Sequence, residues 1–442
     1  MKKLVYAFPI LIFFFSCKPE FKDPEYNAGE INSFRFVTLG DDFSAGYADG
    51  ALYHDAQKNS YAYILSEQFK KVSETNFVIP FVDASSVGIG SSGKSKSVLG
   101  YSSDCLGVSS LKPVPAAASG DAAVLSNNLF PTYGPFGNMG VPGLKVIDAY
   151  RQGYGNTTNG NPFFRRMASD PAITSVLEDA FISDPTFFSI FLGINDVMAY
   201  AMAGGASDFI SPVNGVVNAG FESSLRNSIV QLKSNGSKGV ISTLPDVTDF
   251  PYFTTIPANG LTLDSANAAT LNSIYNPIGI TFQVGANYFT MEDTAAGIFA
   301  VRKMNPGEKI LLSIPLDSVK CFKLGSVYPI PNRFVLNSTE IQNIQSAIND
   351  FNLVIRALAQ EYDLALVDSY SFFKSIKKGI AFNGINLSAQ FVSGGAFSLD
   401  GIHLNPRGNA LLANEFIKAI NLKYKSNFPE ADATKYPGIF FP

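Results

Sequence analysis

Short, wholly apolar runs alternate along this chain with longer stretches in which apolar residues recur every three or four positions. "FRFVTLG" (34–40), "TFFSIFLG" (186–193), "KGVISTLPD" (238–246) and "LALVDSY" (364–370) have the length and composition of strands buried on both faces. Between them, "SYAYILSEQFKKV" (60–72), "INDVMAYAMAGG" (194–205), "FESSLRNSIVQLKSNG" (221–236), the long "STEIQNIQSAINDFNLVIRALAQEYDL" opening at Ser338, and "NPRGNALLANEFIKAINLKYK" (405–425) carry helical patterns. "GVPGLKVIDAYRQG" (140–153) reads as a turn feeding a further helix. Strands apolar on both faces, alternating with amphipathic helices, predict a parallel sheet covered by helices on each side. Two stretches break the alternation. Residues about 73–135 are rich in Ser, Gly and Pro, and residues about 250–337 hold short β-like runs such as "KILLSIPL"; both read as insertions. No internal repeat occurs.

The N-terminus adds a compartment. Lys2 and Lys3 precede an apolar run from Leu4 to Phe15, then Ser16-Cys17. That is a basic region, a core too short to span a bilayer and a small residue before a cysteine. It resembles a bacterial lipoprotein signal, with Cys17 as the lipidated residue; an ordinary signal peptide with an incidental cysteine is the alternative. Residues 18–33 then read as a polar tether, and 34–442 as one domain carrying the two insertions. The expectation is an envelope protein held to a membrane by its N-terminal lipid, at the outer membrane, facing either the periplasm or the exterior.

Composition mostly excludes. A net charge of −4 without a basic block makes nucleic acid an unsuitable partner. With only His54 and His403 in the chain, a histidine-rich metal site is excluded, and no CxxC, HExxH or EF-hand pattern is present. No metal or organic cofactor is implied. Cys105 and Cys321 remain after Cys17 and can pair in an oxidising envelope if their Cα atoms come close enough, which spacing does not decide. Oligomeric state is left open.

The chemistry-bearing residues fall at strand ends or helix starts, and ligands in such sheets sit beyond the carboxyl ends of the strands. Four blocks follow in order: Gly40-Asp41-Asp42-Phe43-Ser44-Ala45-Gly46, Asn138-Met139-Gly140-Val141-Pro142-Gly143, Gly193-Ile194-Asn195-Asp196 and Asp400-Gly401-Ile402-His403. Each alone has a bland reading. Asp400 and His403 could cap the last helix, Asn195 and Asp196 could be an ordinary helix start, and Gly140 and Gly143 could be turn glycines. Together, in this order, they resemble the signature blocks of the SGNH/GDSL hydrolases over Phe34 to Lys423. The resemblance implies a three-layer α/β/α sandwich with a flavodoxin-like parallel sheet. It also implies esterase or acylhydrolase activity on lipids, acylated sugars or small esters. In that frame His403 is the base, Asp400 orients it, and the N–H of residue 42, the N–H of Gly140 and the Asn195 amide are the oxyanion donors.

One residue departs from the family: Asp42 stands where its nucleophilic serine stands. Several readings stay open. One is loss of serine-esterase chemistry with the cleft kept for an acyl or sugar ligand, Asp42 being paired to His403 and resting on the oxyanion donors. Asp42 could itself be the nucleophile, as in some unrelated α/β hydrolases that attack alkyl or epoxide carbon. Ser44 could substitute, although a starting helix would turn it away from His403. Asp42 is neutral if the protein works through another face. Two other candidates are set aside. "GIGSSGKS" (88–95) matches a phosphate-binding loop with Lys94 and Ser95 in the key places, but a Gly/Ser-rich stretch follows where a helix is needed. His54 has no partner pattern around it.

Overall fold

The structure, a computed structural model, describes residues 25–206, 209–293 and 300–442. Five parallel strands form the central sheet: β1 (Phe36–Gly40), β2 (Asn138–Gly140), β3 (Phe187–Phe191), β4 (Lys238–Ser242) and β5 (Ala365–Val367). Their order across the sheet is β5-β4-β3-β1-β2. Parallel pairing sets Gly40 beside both Phe191 and Gly140, so the ends of β1, β2 and β3 lie side by side. Four of the strands are those the apolar runs predict. β2 is the addition, a three-residue strand too short to show a period.

Side chains alternate across this sheet. From β3, Phe187 meets Phe69 and Tyr424, and Phe191 meets Tyr61 and Phe416. Those partners belong to α2 (Tyr61–Lys70) and α6 (Pro406–Tyr424). A second group contains α4 (Phe221–Lys233) and α5 (Ser338–Glu361), where Phe221 and Phe351 stack with ring centroids 4.0 Å apart. The chain is thus an α/β protein with a parallel sheet between helices. α5 begins at the expected Ser338, capped by Asn337, whose side chain and that of Glu340 satisfy each other's backbone N–H groups.

Two expectations are corrected. Residues 140–153 hold no α-helix, only a 3-10 turn at Val146–Asp148. The Val146 N–H donates to the Asp196 carboxylate and the Ala149 carbonyl accepts from Leu177, so tertiary partners take the backbone groups that a helix would use. The expected tether ends earlier than residue 33. Glu30 N–H donates to the Tyr424 carbonyl, Ile31 is buried, and Lys238 pairs with Glu30 at 2.8 Å. Residues 18–24 and Cys17 lie outside the described residues.

The stretches read as insertions have their own small structures. The first contains the hairpin Ser97–Ser103/Ser109–Pro115. The second packs one cluster around Met291, Ile310 and Ile330 and another around Leu271, Tyr275 and Phe282. A disulfide between Cys105 and Cys321 joins the two, with Lys320 paired to Asp104 beside it. No helix among the described residues is long and apolar enough to cross a membrane.

Candidate active site

β1 delivers Asp41 and Asp42 into a single helical turn, α1 (Asp42–Ala45). The junction demands small residues. A Cβ on Gly40 would lie 1.9 Å from Ser44 Oγ, and one on Gly140 would lie 2.2 Å from the Ala45 nitrogen. Asn138 ties β2 to this turn, donating to the Ser44 carbonyl at 2.9 Å and accepting the Gly140 N–H at 2.9 Å. The turn points Ser44 inward: it is fully buried and its Oγ bonds the Tyr61 hydroxyl at 2.8 Å. Ser44 is therefore not presented to the cleft.

Gly140 is not a donor to the site. Its N–H is taken by Asn138, and its lack of a side chain serves the packing of α1 on β2. The glycine that donates is Gly143, whose N–H reaches Asp42 Oδ2 at 3.0 Å. Gly143 has φ of +80°, and Leu144 N–H returns to the Val141 carbonyl at 3.0 Å. This fits a type II turn with Pro142 and Gly143 at its centre. The Pro-Gly pair was the sequence signal that could have singled out Gly143.

α3 (Asn195–Met202) follows β3 and begins at Asn195. The Asn195 amide donates to Asp42 Oδ2 at 2.5 Å and to the Leu144 carbonyl at 3.3 Å, instead of capping the helix. Next to it, buried Asp196 accepts the Val146 N–H at 2.8 Å and so holds the Gly143 turn against α3. Burial pushes the Asp196 carboxyl up to about 7.

The fourth block pairs His403 with Asp400. His403 Nδ1 donates to Asp400 Oδ2 at 2.8 Å, while Asp400 Oδ1 accepts the N–H groups of Ile402 and His403. Asp400 Oδ2 also accepts the Gly50 N–H at 3.0 Å. Burial works against the Asp400 charge, but the His403 charge and these bonds outweigh it and hold the carboxyl down at about 2. Burial likewise works against the His403 charge, and Asp400, then Asp42 and Asp41, overcome it and lift the imidazole to about 9. Asp41 goes the other way. Fully buried and close to the Asp42 charge, its carboxyl is raised well above the usual range.

A second layer, absent from the motif reading, steadies this block. Asp49 accepts the Leu399 N–H at 2.8 Å and the Tyr53 hydroxyl at 2.5 Å, and its own N–H donates to Ser398 Oγ. The turn Asp49-Gly50, both at positive φ, thereby ties to residues 398–400. Its signal was present in the sequence as "YADG" directly after the first block, but no local pattern ties it to residues 350 positions away.

Asp42, Asn195, Gly143, Asp400 and His403 all line one cavity of about 380 Å³. Phe43, Phe163, Ile194, Met198 and Tyr252 make most of its walls apolar. The two oxygens of Asp42 are differently placed. Oδ2 sits on Gly143 and Asn195, whereas Oδ1 faces His403 Nε2 at 3.8 Å, beyond hydrogen-bond length. Ser91 and Ser92, from the stretch matching a phosphate-binding loop, also line the cavity. That stretch leads into strand Ser97–Ser103, and Ser95 is buried against Ala117. His54 lies elsewhere, bonded to Asp55 and packed on Phe81. Among the described residues no group of three or more His, Cys, Asp or Glu is placed to hold a metal ion.

No curated protein matches this chain. Its fold is similar to that of an acetyl-xylooligosaccharide esterase from Geobacillus (a W190I mutant), at 11% identity and TM-score 0.37, covering 89% of this chain and 96% of the other. It is also similar to a lipase/acylhydrolase from Enterococcus faecalis (12%, TM-score 0.32, 90% and 98% covered). An extracellular lipase from Streptomyces rimosus gives comparable values (10%, TM-score 0.35, 88% and 98% covered). Likenesses this distant carry no argument by themselves. The family described as GDSL-like Lipase/Acylhydrolase matches residues 36–416, which contain every block of the site, and this chain belongs to it.

Proposed function

We propose that this chain is a lipid-anchored envelope protein whose cleft receives an acyl or acylated-sugar ester and does not cut it through a serine acyl-enzyme. The observation that carries this reading is the Asp42 carboxylate resting on the Gly143 N–H and the Asn195 amide. Donors so placed stabilise the oxyanion of a tetrahedral intermediate. Here a carboxylate of the chain itself takes them, as a bound acid product would. An ester carbonyl directed at the same donors meets a negative charge. The other half of serine chemistry is also missing. Residue 42 has no hydroxyl, Ser44 faces the core, and His403 holds its proton to about pH 9, against the pull of burial, through Asp400 and Asp42.

The ligand class follows from the family and the walls. Acyl esters are what lipases and acylhydrolases take, and the apolar lining suits an acyl chain or the acetyl group of a sugar. The wild-type protein should hydrolyse p-nitrophenyl acetate no faster than the His403→Ala variant, and a fluorophosphonate should leave it unlabelled. Robust hydrolysis with a labelled serine would overturn the reading. For the anchor, labelled palmitate should enter the protein and be lost in Cys17→Ala; labelling that persists would remove the lipoprotein assignment.

A further inference from the structure

We propose that the ligand of this cleft carries a free hydroxyl group beside its acyl chain, as a partly acylated polyol does, and that this hydroxyl lodges between Asp42 Oδ1 and His403 Nε2. This deepens the function proposed above and rests on its premise that Asp42 has closed the ester route while the cleft remains.

The gap between these two atoms carries the inference. Asp42 is held through Oδ2, at 3.0 Å from the Gly143 N–H and 2.5 Å from the Asn195 amide. His403 is held through Nδ1, at 2.8 Å from Asp400. Oδ1 and Nε2 are left facing one another across 3.8 Å, too far for a hydrogen bond, and neither has a hydrogen-bond partner among the described residues. Both side chains line the cavity, and both are largely buried, at 15% and 10% exposed. Their other atoms are tied to separate segments, which holds the gap open. A donor and an acceptor, both charged, thus stand side by side in the ligand space without meeting.

The chemistry of the gap selects its occupant. A carboxylate oxygen only accepts a hydrogen bond, and the N–H of an imidazolium only donates one. Against the pull of burial, Asp400, then Asp42 and Asp41, keep the His403 proton in place to about pH 9. A single oxygen about 2.8 Å from each atom spans the gap, and it makes both bonds if it bears a hydrogen and a free lone pair. An alcohol meets that requirement. An ester or ether oxygen accepts from Nε2 and leaves the carboxylate unsatisfied. A second carboxylate is repelled by Asp42, and an ammonium by His403. Water makes the same two bonds, so a ligand that displaces it without replacing them loses affinity. The rest of the cavity suits the remainder of such a molecule. Phe43, Phe163, Ile194 and Met198 give an acyl chain its wall, and Ser91 and Ser92 offer hydroxyls to the other oxygens of a polyol.

Wild-type protein is titrated with 1-octanoylglycerol and with its 2,3-dimethyl ether, both below their micelle concentrations, and binding is read by calorimetry. The glycerol ester should bind at least about 10-fold more tightly than the ether, and in a folded Asp42→Ala variant the preference should fall to within about 2-fold. A second readout needs no variant of the site. With His54 and His403 the only histidines in the chain, nitrogen-15 labelling of histidine gives few ring signals, and His54→Gln assigns them. Saturation with 1-octanoylglycerol should shift the Nε2 resonance of His403. Equal affinity for the two ligands, binding of neither, a preference that survives Asp42→Ala, or an unmoved Nε2 resonance overturns the proposal. The ester and fluorophosphonate assays on the same preparation separate the two ideas. Esterase activity with a labelled serine removes the premise, whereas no hydrolysis together with equal binding leaves the premise and removes only the hydroxyl site.

Discussion

Oδ2 of Asp42 lies 2.5 Å from Nδ2 of Asn195, although 153 positions separate them in the chain. The contact joins the end of β1 to the start of α3 and fills the place where a substrate oxygen would meet this amide. Exchanging the carboxylate for a hydroxyl should therefore do two things at once, free the donors and supply a nucleophile.

The first expected outcome concerns that exchange. Asp42→Ser should hydrolyse short p-nitrophenyl esters at least about 100-fold faster than wild type and should be labelled by a fluorophosphonate at residue 42. Adding His403→Ala should abolish most of the gain, because nucleophile and base act as a unit. A folded, unlabelled and inactive Asp42→Ser protein would show that the remaining site is not preorganised for acyl transfer.

Gly140 and Asn195 should separate packing from chemistry. In the Asp42→Ser background, Asn195→Ala should lower kcat by about 100-fold with little change in KM, since it removes a donor to the developing oxyanion. Gly140→Ala should instead reduce stability by about 3 kcal/mol, because its Cβ would stand 2.2 Å from the Ala45 nitrogen. Urea unfolding and steady-state kinetics on both variants check this. A Gly140→Ala protein of unchanged stability would contradict the packing account.

Stability should fall on the alkaline side. The folded-state pKa of His403, about 9, lies above the unfolded value of about 6.5. The native state then binds the extra proton, so the favourable contribution is complete below about pH 6.5 and is lost as pH rises through about 9. The loss is on the order of 3 kcal/mol at most. On the acid side, Asp400 at about 2 contributes stability that is complete above about pH 4 and disappears as pH falls toward 2. Unfolding midpoints measured across this range should slope downward from pH 6.5 to 9 in wild type and run flatter in His403→Gln. A flat wild-type profile would refute the ionisation assigned to His403.

The Cys105–Cys321 bond closes a loop of 216 positions and ties together the two stretches outside the sheet. Removing it releases the unfolded chain from that constraint, so Cys321→Ser should lower stability by about 2–4 kcal/mol. Thermal unfolding of wild type with and without reductant, beside the variant, measures it. An unchanged midpoint in both would mean that the joined stretches unfold independently of the sheet.

Much of this protein was legible before folding. Four of the five sheet strands announce themselves as apolar runs, because a strand covered on both faces has no polar side to show. The blocks after β1 and β3 mark Asp42 and Asn195, and the block before α6 marks Asp400 and His403, since side chains set by short turns next to strands and helices stay close to where the chain delivers them. Whatever depended on contacts between distant segments was not legible. β2 is three residues long and exists through its neighbour β1. Gly140 and Gly143 stand three positions apart in one block, and only backbone torsion and the grip of Asn138 decide which one donates to the site. Cys105 pairs with Cys321 because two stretches outside the sheet meet. The letter at position 42 announces a carboxylate. That one of its oxygens is held and the other faces His403 follows from donors on two other segments, which only the packed structure brings to it.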